Sequence, residues 1–458
     1  MKKNEVAETT IEDIGIHGEG IGKVNGYTLF IKDAIIGDVV EVKVMKAKKQ
    51  YGYAKLLRII EHSPYRVKAK CEVARSCGGC QIQEMSYAKQ LEFKQAKVRN
   101  HLERIGGFVP EELDKVEEMI VGMEYPFEYR NKAQFPIGRD TKGKAIAGFY
   151  AGHTHQIIPN MNCVLGVPIN RPLLECILDF IDQYQISVYD EVNHSGLLRH
   201  VMIRYGFFTK EIMVCLIVNG DKIAHIEELV KRLQTFEGMT SITLNVNKEK
   251  SNVIMGKKLI TLWGKGYITD KLGDVVYQIS PLSFYQVNPL QTEKLYNLAL
   301  EYAGLTGAEI VWDLYCGIGT ISLFLAQKAK QVYGVEIVSQ AIANARENAK
   351  INNIENVTFY TGKAEEILPQ MYKEQRIKAD VIVVDPPRKG CEESLLETIV
   401  EMAPKKVVYV SCDSATLARD LRYLCDRGYV IEKYRAIDQF SMTIHVETIC
   451  LLSRNHKD

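Results

Sequence analysis

The stretch Val408–Asp420 places a cysteine where a reactive thiol is expected. Hydrophobic β-forming residues run into Cys412, and Asp413 and Ser414 then supply N-caps for a helical pattern. In an open parallel sheet, ligands bind at the carboxyl ends of the strands, and Cys412 ends such a strand. A helix N-terminus also favours the thiolate over the thiol, so the pattern predicts a nucleophile. The alternative is a buried cysteine that acts as a small hydrophobic residue.

A glycine turn between two acidic residues predicts a cofactor site. Asp313 precedes a turn that contains Gly317 and Gly319, and Glu336 ends the next hydrophobic run, where an acid can accept both ribose hydroxyls. A nicotinamide dinucleotide site would need a third glycine, and this chain has Ser322 at that position. S-adenosylmethionine has no pyrophosphate and carries an amino group. The two acids therefore favour this methyl donor over a dinucleotide.

The sequence Asp385-Pro386-Pro387 ends a further buried strand. Amino-group methyltransferases use a similar motif but follow it with an aromatic residue that stacks on the target base, whereas this chain has Arg388. We therefore expect an acceptor other than an exocyclic amine. Asp385 could hold either the cofactor or the edge of the substrate.

Cys412 and Glu447 together suit methylation of an unactivated pyrimidine carbon. C5 of uracil becomes nucleophilic only after a thiolate adds at C6, and a base must then remove the C5 proton so that the thiolate can leave. Cys412 could supply the thiolate, and Glu447, beside His445 on the last predicted strand, could supply the base. The target base would have to be extruded from its stack to reach both groups.

Four cysteines could hold a metal centre. Cys71, Cys77 and Cys80 have the spacing C-x5-C-x2-C, and Cys163 could supply a fourth thiolate. Four thiolates can hold a 4Fe-4S cluster or a structural zinc ion. The lone, distant fourth cysteine favours the cluster, because zinc usually takes closely spaced pairs of ligands. The spacing differs from the C-x3-C-x2-C of radical enzymes, so we expect a structural cluster.

Length and composition limit the class of protein. A chain of 458 residues suggests roughly three domains. Its 58 Lys and Arg against 57 Asp and Glu give a net charge of +1, so any surface that binds nucleic acid must be local. The first residues, Met1–Glu5, lack the apolar segment of a signal peptide, so we expect none, and no apolar run reaches the roughly 20 residues that could span a membrane. We expect a cytoplasmic protein whose eleven cysteines serve as ligands, nucleophiles or core residues.

The order of the hydrophobic patterns predicts the elements that position these residues. Residues 8–66 carry five or so short strands separated by glycines, which suits a closed, OB-like β-barrel. Residues 86–105 have the pattern of a charged amphipathic helix. Residues 125–265 indicate an antiparallel α+β domain with one helix, Lys222–Gln234. From about residue 305 strands and helices alternate, as in a doubly wound, Rossmann-like sheet.

Two groups of basic residues are candidate RNA contacts. In the barrel, Lys48 and Lys49 precede tyrosines that can stack on bases. In the central domain, Arg130, Lys132 and Arg199 are the concentrated basic positions. The alternatives are a barrel edge whose lysines discourage strand pairing and ordinary solvated loops.

These motifs resemble those of the RNA uracil-C5 methyltransferases, specifically the 23S rRNA (uracil-5-)-methyltransferase type. The resemblance covers nearly the whole chain and rests on the glycine-rich N-terminal module, the cysteine spacing, Phe284–Asn288, Asp313–Gly319, Asp385–Arg388, Ser411–Cys412 and His445–Glu447. It implies S-adenosylmethionine-dependent synthesis of 5-methyluridine, with 23S rRNA as the leading candidate substrate. The alternatives are the same reaction on tRNA and a non-catalytic RNA-binding ribosome assembly factor.

The resemblance also implies residue roles and domain boundaries. It implies a 4Fe-4S cluster on the four cysteines, Cys412 as nucleophile, Glu447 as base, and methyl-donor binding by Gln286, Tyr315, Glu336 and Asp385. The implied domains are a TRAM-like barrel at 8–66, a central iron–sulfur and RNA-binding domain at 67–90 and 124–270, and a methyltransferase domain at 91–123 and 271–458. We expect a monomer whose partner is RNA, with no DNA and no membrane partner.

Two positions depart from the family pattern. The family commonly has Asn-Pro after the nucleophile, where this chain has Asp413-Ser414, and Phe-Pro before the last strand, where it has Phe440-Ser441. Both departures leave the reacting groups in place. They bear on the loops around the target base, and so on the choice of uridine.

Overall fold

The N-terminal strands form a closed barrel, as their glycine-separated pattern predicted. The structure is a computed structural model that describes residues 1–152 and 154–455. The barrel order is β1-β2-β3-β5-β4. Its strands are β1 (Val6–Ile14), β2 (Gly20–Val24), β3 (Tyr27–Ile31), β4 (Val39–Ala47) and β5 (Tyr51–Glu61). Alternate side chains of β4, such as Val40, Val42 and Val44, are fully buried because period-two alternation sends every second side chain inward.

The next three elements leave the barrel and pack against the C-terminal part of the chain. They are α1 (Tyr87–Arg104), α2 (Pro110–Val116) and β6 (Glu117–Val121). The amphipathic helix predicted for 86–105 is therefore present as α1. Its buried face holds two polar side chains, Gln90 and Lys94, beside apolar residues such as Val98 and Leu102. A buried lysine needs a partner, and this one contacts the segment that leads to Glu447.

The central region is a seven-stranded sheet with the order β13-β12-β11-β10-β7-β8-β9. Its elements are β7 (Lys132–Arg139), β8 (Ala145–Tyr150), β9 (Ile157–Pro159), α3 (Asn170–Gln183), β10 (Leu198–Tyr205), β11 (Ile212–Val218), α4 (Ile226–Gln234), β12 (Met239–Val246) and β13 (Lys258–Gly264). Two predictions for this region were wrong. Its described residues form two helices instead of one, and β11 and β12 run parallel in a sheet predicted to be antiparallel.

Each of these two errors has a physical cause. In α3, Leu173, Leu174, Ile177 and Ile181 are buried at helical spacing, so the signal for this helix is present in the sequence. The parallel pair follows from the position of α4, because a helix between two strands allows the chain to cross over and return in the same direction.

The C-terminal part forms an eight-stranded sheet with the order β18-β17-β16-β19-β20-β22-β21-β6. Its elements, after a hairpin of β14 (Ile268–Leu272) and β15 (Val275–Ile279), are α5 (Pro289–Ala303), β16 (Ile310–Leu314), α6 (Thr320–Ala326), β17 (Gln331–Glu336), α7 (Ser339–Ile351), β18 (Val357–Thr361), α8 (Ala364–Gln375), β19 (Val381–Val384), α9 (Glu393–Met402), β20 (Lys406–Ser411), α10 (Ser414–Cys425), β21 (Tyr429–Ile437) and β22 (Glu447–Arg454).

The strand directions in this sheet determine where polar groups meet. Strands β16 to β20 run parallel, whereas β22 runs antiparallel to both β20 and β21. Two apolar clusters cover the two faces: Val311 and Val383 pack with α5–α7, and Trp312 and Ile382 pack with α8–α10 and α1. The carboxyl ends of β16, β17, β19 and β20 therefore share one edge, and the amino end of β22 joins them there.

No helix within residues 1–152 and 154–455 combines the length and the apolar character that crossing a bilayer would require.

Candidate active site

The structure places Cys412 opposite Glu447. Ser411, the last residue of β20, pairs with Thr448 of the antiparallel strand β22. One step further along each strand brings Cys412 and Glu447 to adjacent positions at the edge of the sheet. Glu447 is 3% exposed, Cys412 is half-buried, and the charge of Glu447 contributes to the pKa of the thiol.

Both groups hold their protons more tightly than usual. Burial, followed by the charge of Asp385, raises the pKa of Glu447 to about 8. Burial raises the pKa of Cys412 to about 11, and the nearby carboxylates Glu447 and Asp385 add to this effect. Arg388 opposes both shifts. The resting site therefore holds a thiol and a largely protonated carboxyl at neutral pH.

The pKa of the Cys412 thiol is raised overall although a helix follows it, which corrects the sequence-based expectation of a lowered pKa. The side chain of Asp413 caps α10 and accepts hydrogen bonds from the amides of Ala415 and Thr416, at 2.9 and 3.2 Å. A cap that is itself an anion uses the amides that would otherwise stabilise a thiolate. Activation of Cys412 must come from another group or from the substrate.

Asp385 and Arg388 lie beside this pair, because Asp385 follows the carboxyl end of β19 next to β20. Burial raises the pKa of Asp385 to about 7. Arg388 is exposed and lies close enough to Cys412 and Glu447 to lower the pKa of each. The edge of the sheet thus brings together a thiol, two carboxyl groups and one guanidinium.

The candidate cofactor residues lie at the neighbouring strand ends. Asp313 is buried in β16, where Ser322 Oγ donates to its Oδ2 at 2.5 Å, and burial raises its pKa to about 7. Its Oδ1 is buried without a partner among the described residues. Glu336 ends β17 and accepts the Gly317 amide at 3.2 Å. Gly317 has φ +56 and open space where a side chain would begin, so a ligand can approach its backbone.

Gly319, Tyr315 and Gln286 complete this group. Gly319 has φ +81 and is the N-cap of α6, and an added Cβ would lie only 3.0 Å from the Phe359 ring. Tyr315 has φ +71, an uncommon conformation for a residue with a side chain and one often found at functional sites. Gln286 lies just before α5, where its carbonyl accepts the side-chain amide of Asn131 at 3.0 Å.

The four candidate metal ligands open onto the same cavity as Cys412. This cavity has a volume of about 590 Å³. Its lining includes Cys71, Cys77, Cys80, Cys163, Arg130, Lys132, Arg388, Cys412 and His445. All eleven cysteines are unpaired thiols. Within the described ranges, no group of three or more His, Cys, Asp or Glu side chains has the arrangement of a metal site.

The donors around these sulfurs nevertheless suit thiolate ligands. Burial raises the pKa of the Cys71, Cys77 and Cys80 thiols, to about 12 for Cys80, and the charge of Cys163 adds to each of these shifts. The Gly79 amide points at Cys77 Sγ at 3.4 Å, and Asn160 Nδ2 lies 3.8 Å from Cys71 Sγ. A metal that displaces the thiol protons would find hydrogen-bond donors already in place.

The basic residues predicted to contact RNA have different positions. Lys48 and Lys49 are exposed in the turn between β4 and β5. Arg130 and Lys132 line the cavity, where burial lowers the pKa of Lys132 to about 8. Arg199 is 2% exposed and donates to the carbonyls of Asn247 and Glu249 at 3.1 and 2.8 Å, so its predicted RNA contact was wrong.

Two residues near the reacting pair were not among the predicted site residues. Arg388 was named in two motifs but given no role, although a cation directly after an Asp-Pro-Pro strand end is a usable signal. Lys97 of α1 interacts with Asp413 and Arg388 and donates to the carbonyl of Ile444 at 3.0 Å. Nothing local in the sequence marks Lys97, because its partners are distant along the chain, 347 residues away in the case of Ile444.

Comparison with known proteins gives consistent results. The family model described as tRNA (Uracil-5-)-methyltransferase matches residues 192–455, and the TRAM domain model matches residues 2–57. An uncharacterized RNA methyltransferase of Clostridium tetani is 50% identical over 99% of this chain and 97% of its own length. One of Halalkalibacterium halodurans is 49% identical over 99% and 98%. The crystal structure of Pyrococcus abyssi tRNA (uracil-54, C5)-methyltransferase in complex with S-adenosyl-L-homocysteine has a TM-score of 0.78 and 30% identity, and covers 97% of this chain and 99% of that one.

Proposed function

The chain belongs to the tRNA (uracil-5-)-methyltransferase family and is an RNA methyltransferase, and from this membership we propose that it transfers a methyl group from S-adenosylmethionine to C5 of a uridine in RNA. The observation that carries the proposal is the position of Cys412 opposite Glu447 across β20 and β22. Methylation of nitrogen or oxygen needs no enzyme nucleophile, whereas methylation of C5 needs both a thiolate and a base.

The proposed reaction gives Cys412 the role of nucleophile and leaving group, and gives Glu447 the role of general base. The Cys412 thiolate adds to C6 of the extruded uracil, and the resulting enolate takes the methyl group from the sulfonium, which leaves as S-adenosylhomocysteine. Glu447 removes the C5 proton, and the Cys412–C6 bond breaks to restore the aromatic ring and the thiolate. The pKa of about 8 at Glu447 suits a base that must accept a carbon-bound proton.

The methyl donor is assigned to the strand ends beside this pair. We assign ribose binding to Glu336 and the close backbone approach to Gly317 and Gly319. Asp313 Oδ1 has no partner in the part of the chain that the structure describes, so this buried carboxyl can accept a further hydrogen bond. Asp385, Gln286 and Tyr315 are assigned to the same ligand through the family resemblance.

We also propose that Cys71, Cys77, Cys80 and Cys163 hold a 4Fe-4S cluster. The shared cavity and the donors that point at two of the sulfurs support this proposal. The cluster would cross-link the segment before α1 to the central sheet. The alternative is a zinc ion bound by the same four sulfurs.

We propose 23S rRNA as the substrate and keep tRNA as the second candidate. The cysteine spacing and the other motifs resemble the 23S rRNA type. The tRNA-modifying Pyrococcus enzyme nevertheless matches 97% of this chain, so overall architecture does not separate the two substrates. Lys48 and Lys49, together with the exposed rings of Tyr51 and Tyr53, are the proposed RNA contacts on the barrel.

The wider assignment follows from the same resemblance. We propose the three domains with the boundaries 8–66, 67–90 with 124–270, and 91–123 with 271–458. In this assignment the protein acts as a monomer in the cytoplasm, a reducing compartment that suits eleven free thiols.

Mass mapping of 5-methyluridine in RNA from a deletion strain tests the substrate. Loss of the modification from 23S rRNA, with restoration by the wild-type gene but not by Cys412→Ala, is the expected result. Loss from tRNA alone would move the substrate to tRNA. Full restoration by Cys412→Ala would overturn covalent catalysis and favour a non-catalytic assembly factor.

A further inference from the structure

The segment Asp438–His445, which we call the strap, connects β21 to β22 and leads directly to Glu447. It lies wholly within the described residues and forms neither helix nor strand. It is nevertheless buried: Asp438, Gln439 and Ser441 have no exposed surface. Buried backbone without regular structure must find hydrogen-bond partners elsewhere in the fold.

One face of α1 supplies many of these partners. Gln90, Lys94 and Lys97 are spaced four and three residues apart, so they lie on one side of the helix. The Gln90 side-chain oxygen accepts the Met442 amide at 3.0 Å. Lys94 Nζ donates to the Asp438 carboxylate at 2.5 Å and to the Phe440 carbonyl at 2.8 Å.

The fourth of these contacts comes from Lys97. Its Nζ donates to the Ile444 carbonyl at 3.0 Å. Together the three α1 side chains contact every second residue of the strap: 438, 440, 442 and 444. Packing alone would not require a hydrogen bond from α1 to every second residue of the strap.

The cysteine-rich segment holds the strap from a second direction. The amides of Gln81 and Ile82, directly after Cys80, donate to the Met442 carbonyl at 3.0 and 3.2 Å. Met442 has φ +64, a conformation that costs free energy in a residue with a side chain. Such a conformation persists only where the surroundings fix it, and here the backbone of Met442 is hydrogen-bonded on both its N–H and its C=O.

We propose that Gln90, Lys94 and Lys97 are positioning residues for the catalytic base, because they fix the strap that places Glu447 opposite Cys412. The inference rests on the proposed function and adds to it a specific effect on one step of the reaction. The three side chains control the removal of the C5 proton, which needs Glu447. They do not control thiolate attack or donor binding, which depend on β20, β16 and β17.

Lys94→Met and Lys97→Met, each compared with Lys89→Met, test the proposal. Lys89 is on the same helix but pairs with Glu92 rather than with the strap. We expect kcat to fall by about tenfold to 100-fold in the two strap variants, with little change in KM for RNA, because a small misplacement of a reacting group has effects of this size. Covalent Cys412–RNA adduct should accumulate during turnover and be visible as a shifted band on denaturing gels.

Two further measurements separate positioning from a general loss of structure. Adduct formation with 5-fluorouridine RNA, which has no C5 proton to lose, should keep its wild-type rate, as should binding of S-adenosylhomocysteine. Lys94→Arg should recover most of the lost kcat. In the double variant Lys94→Met with Asp438→Leu, an apolar pair replaces the buried ions. The double variant should regain part of the lost thermal stability, because Tyr87, which donates to Asp438 at 2.8 Å, still loses its acceptor. It should not regain kcat, because the Phe440 carbonyl keeps the Thr443 hydroxyl donor but has lost the Lys94 donor that ties it to α1.

Several results would overturn the inference. Strap variants whose kcat equals that of Lys89→Met, or variants that lose the 5-fluorouridine adduct in proportion to kcat, would each refute a role in positioning Glu447. Recovery of kcat together with stability in the double variant would do the same. These failures differ from failure of the proposed function, in which the wild-type protein itself would form neither 5-methyluridine nor the covalent adduct.

Discussion

The raised pKa of Glu447 predicts that product formation increases with pH. Glu447 accepts a proton only when it is ionised, and its pKa of about 8 leaves roughly one tenth ionised at pH 7 and about nine tenths at pH 9. When elimination limits the rate, the single-turnover rate of 5-methyluridine formation should therefore rise about tenfold between these pH values. An unperturbed glutamate, with a pKa of about 4.3, would give no change over this range.

The variant Glu447→Gln should remove this dependence and stall the reaction after methyl transfer. General bases contribute about 100-fold to 10,000-fold to rates, so the variant should lose about 3 to 5 kcal/mol of transition-state stabilisation. With ¹⁴C-methyl-labelled donor, the label should appear in a covalent protein–RNA band on denaturing gels. Glu432→Gln, an exposed position on the adjacent strand β21, serves as the matched control.

Ionisation of Cys412 could also raise the rate with pH, because the pKa of this thiol is about 11. Adduct formation on 5-fluorouridine RNA isolates that contribution, since it requires the thiolate but not proton removal. The rate of 5-methyluridine formation divided by the rate of 5-fluorouridine adduct formation, plotted against pH, should show an inflection near pH 8 that belongs to Glu447. A flat quotient between pH 6 and 9, or a Glu447→Gln variant that turns over within a few-fold of wild type, would refute the assigned role.

Four further outcomes are expected. Cys412→Ala should form no covalent RNA band and no 5-methyluridine, while S-adenosylhomocysteine binding measured by calorimetry stays unchanged. Arg388→Gln should move the inflection to higher pH, because Arg388 lowers the pKa of Glu447; a shift to lower pH would contradict this electrostatic account. Anaerobically purified protein should be brown and Cys80→Ser should lose the broad visible absorption, whereas colourless wild-type protein that contains zinc would exclude the cluster. Tyr51→Ala should weaken RNA binding by about 1 to 3 kcal/mol if its ring stacks on a base, and unchanged affinity in filter binding would remove it from the interface.

Local signals predicted the positions of most of the candidate site residues in the fold. Cys412, Asp313 and Asp385 each follow or end a short hydrophobic run, so their positions at strand ends could be predicted from the sequence. The barrel followed from glycine spacing, and α1 followed from its apolar periodicity. These features depend on residues that are close in sequence, which is where pattern reasoning is strongest.

Features that depend on long-range pairing could not be predicted in the same way. The direction of β22 is set by its neighbours, so the juxtaposition of Cys412 and Glu447 was a chemical inference and not a geometric one. The burial of Arg199 depends on carbonyls some fifty residues later in the chain. The raised pKa of Cys412 depends first on burial and then on the carboxylates of Glu447 and Asp385, which lie far from Cys412 along the chain or on another strand, so the sequence suggested only the opposing helix effect.

The antiparallel pairing of β20 and β22 has a consequence for how this chain can vary. A slip of one residue between the two strands would turn Val446 or Thr448 toward the thiol in place of the carboxylate. A single-residue deletion inside either strand should therefore abolish the activity as completely as loss of the thiol, although every chemically active side chain would still be present.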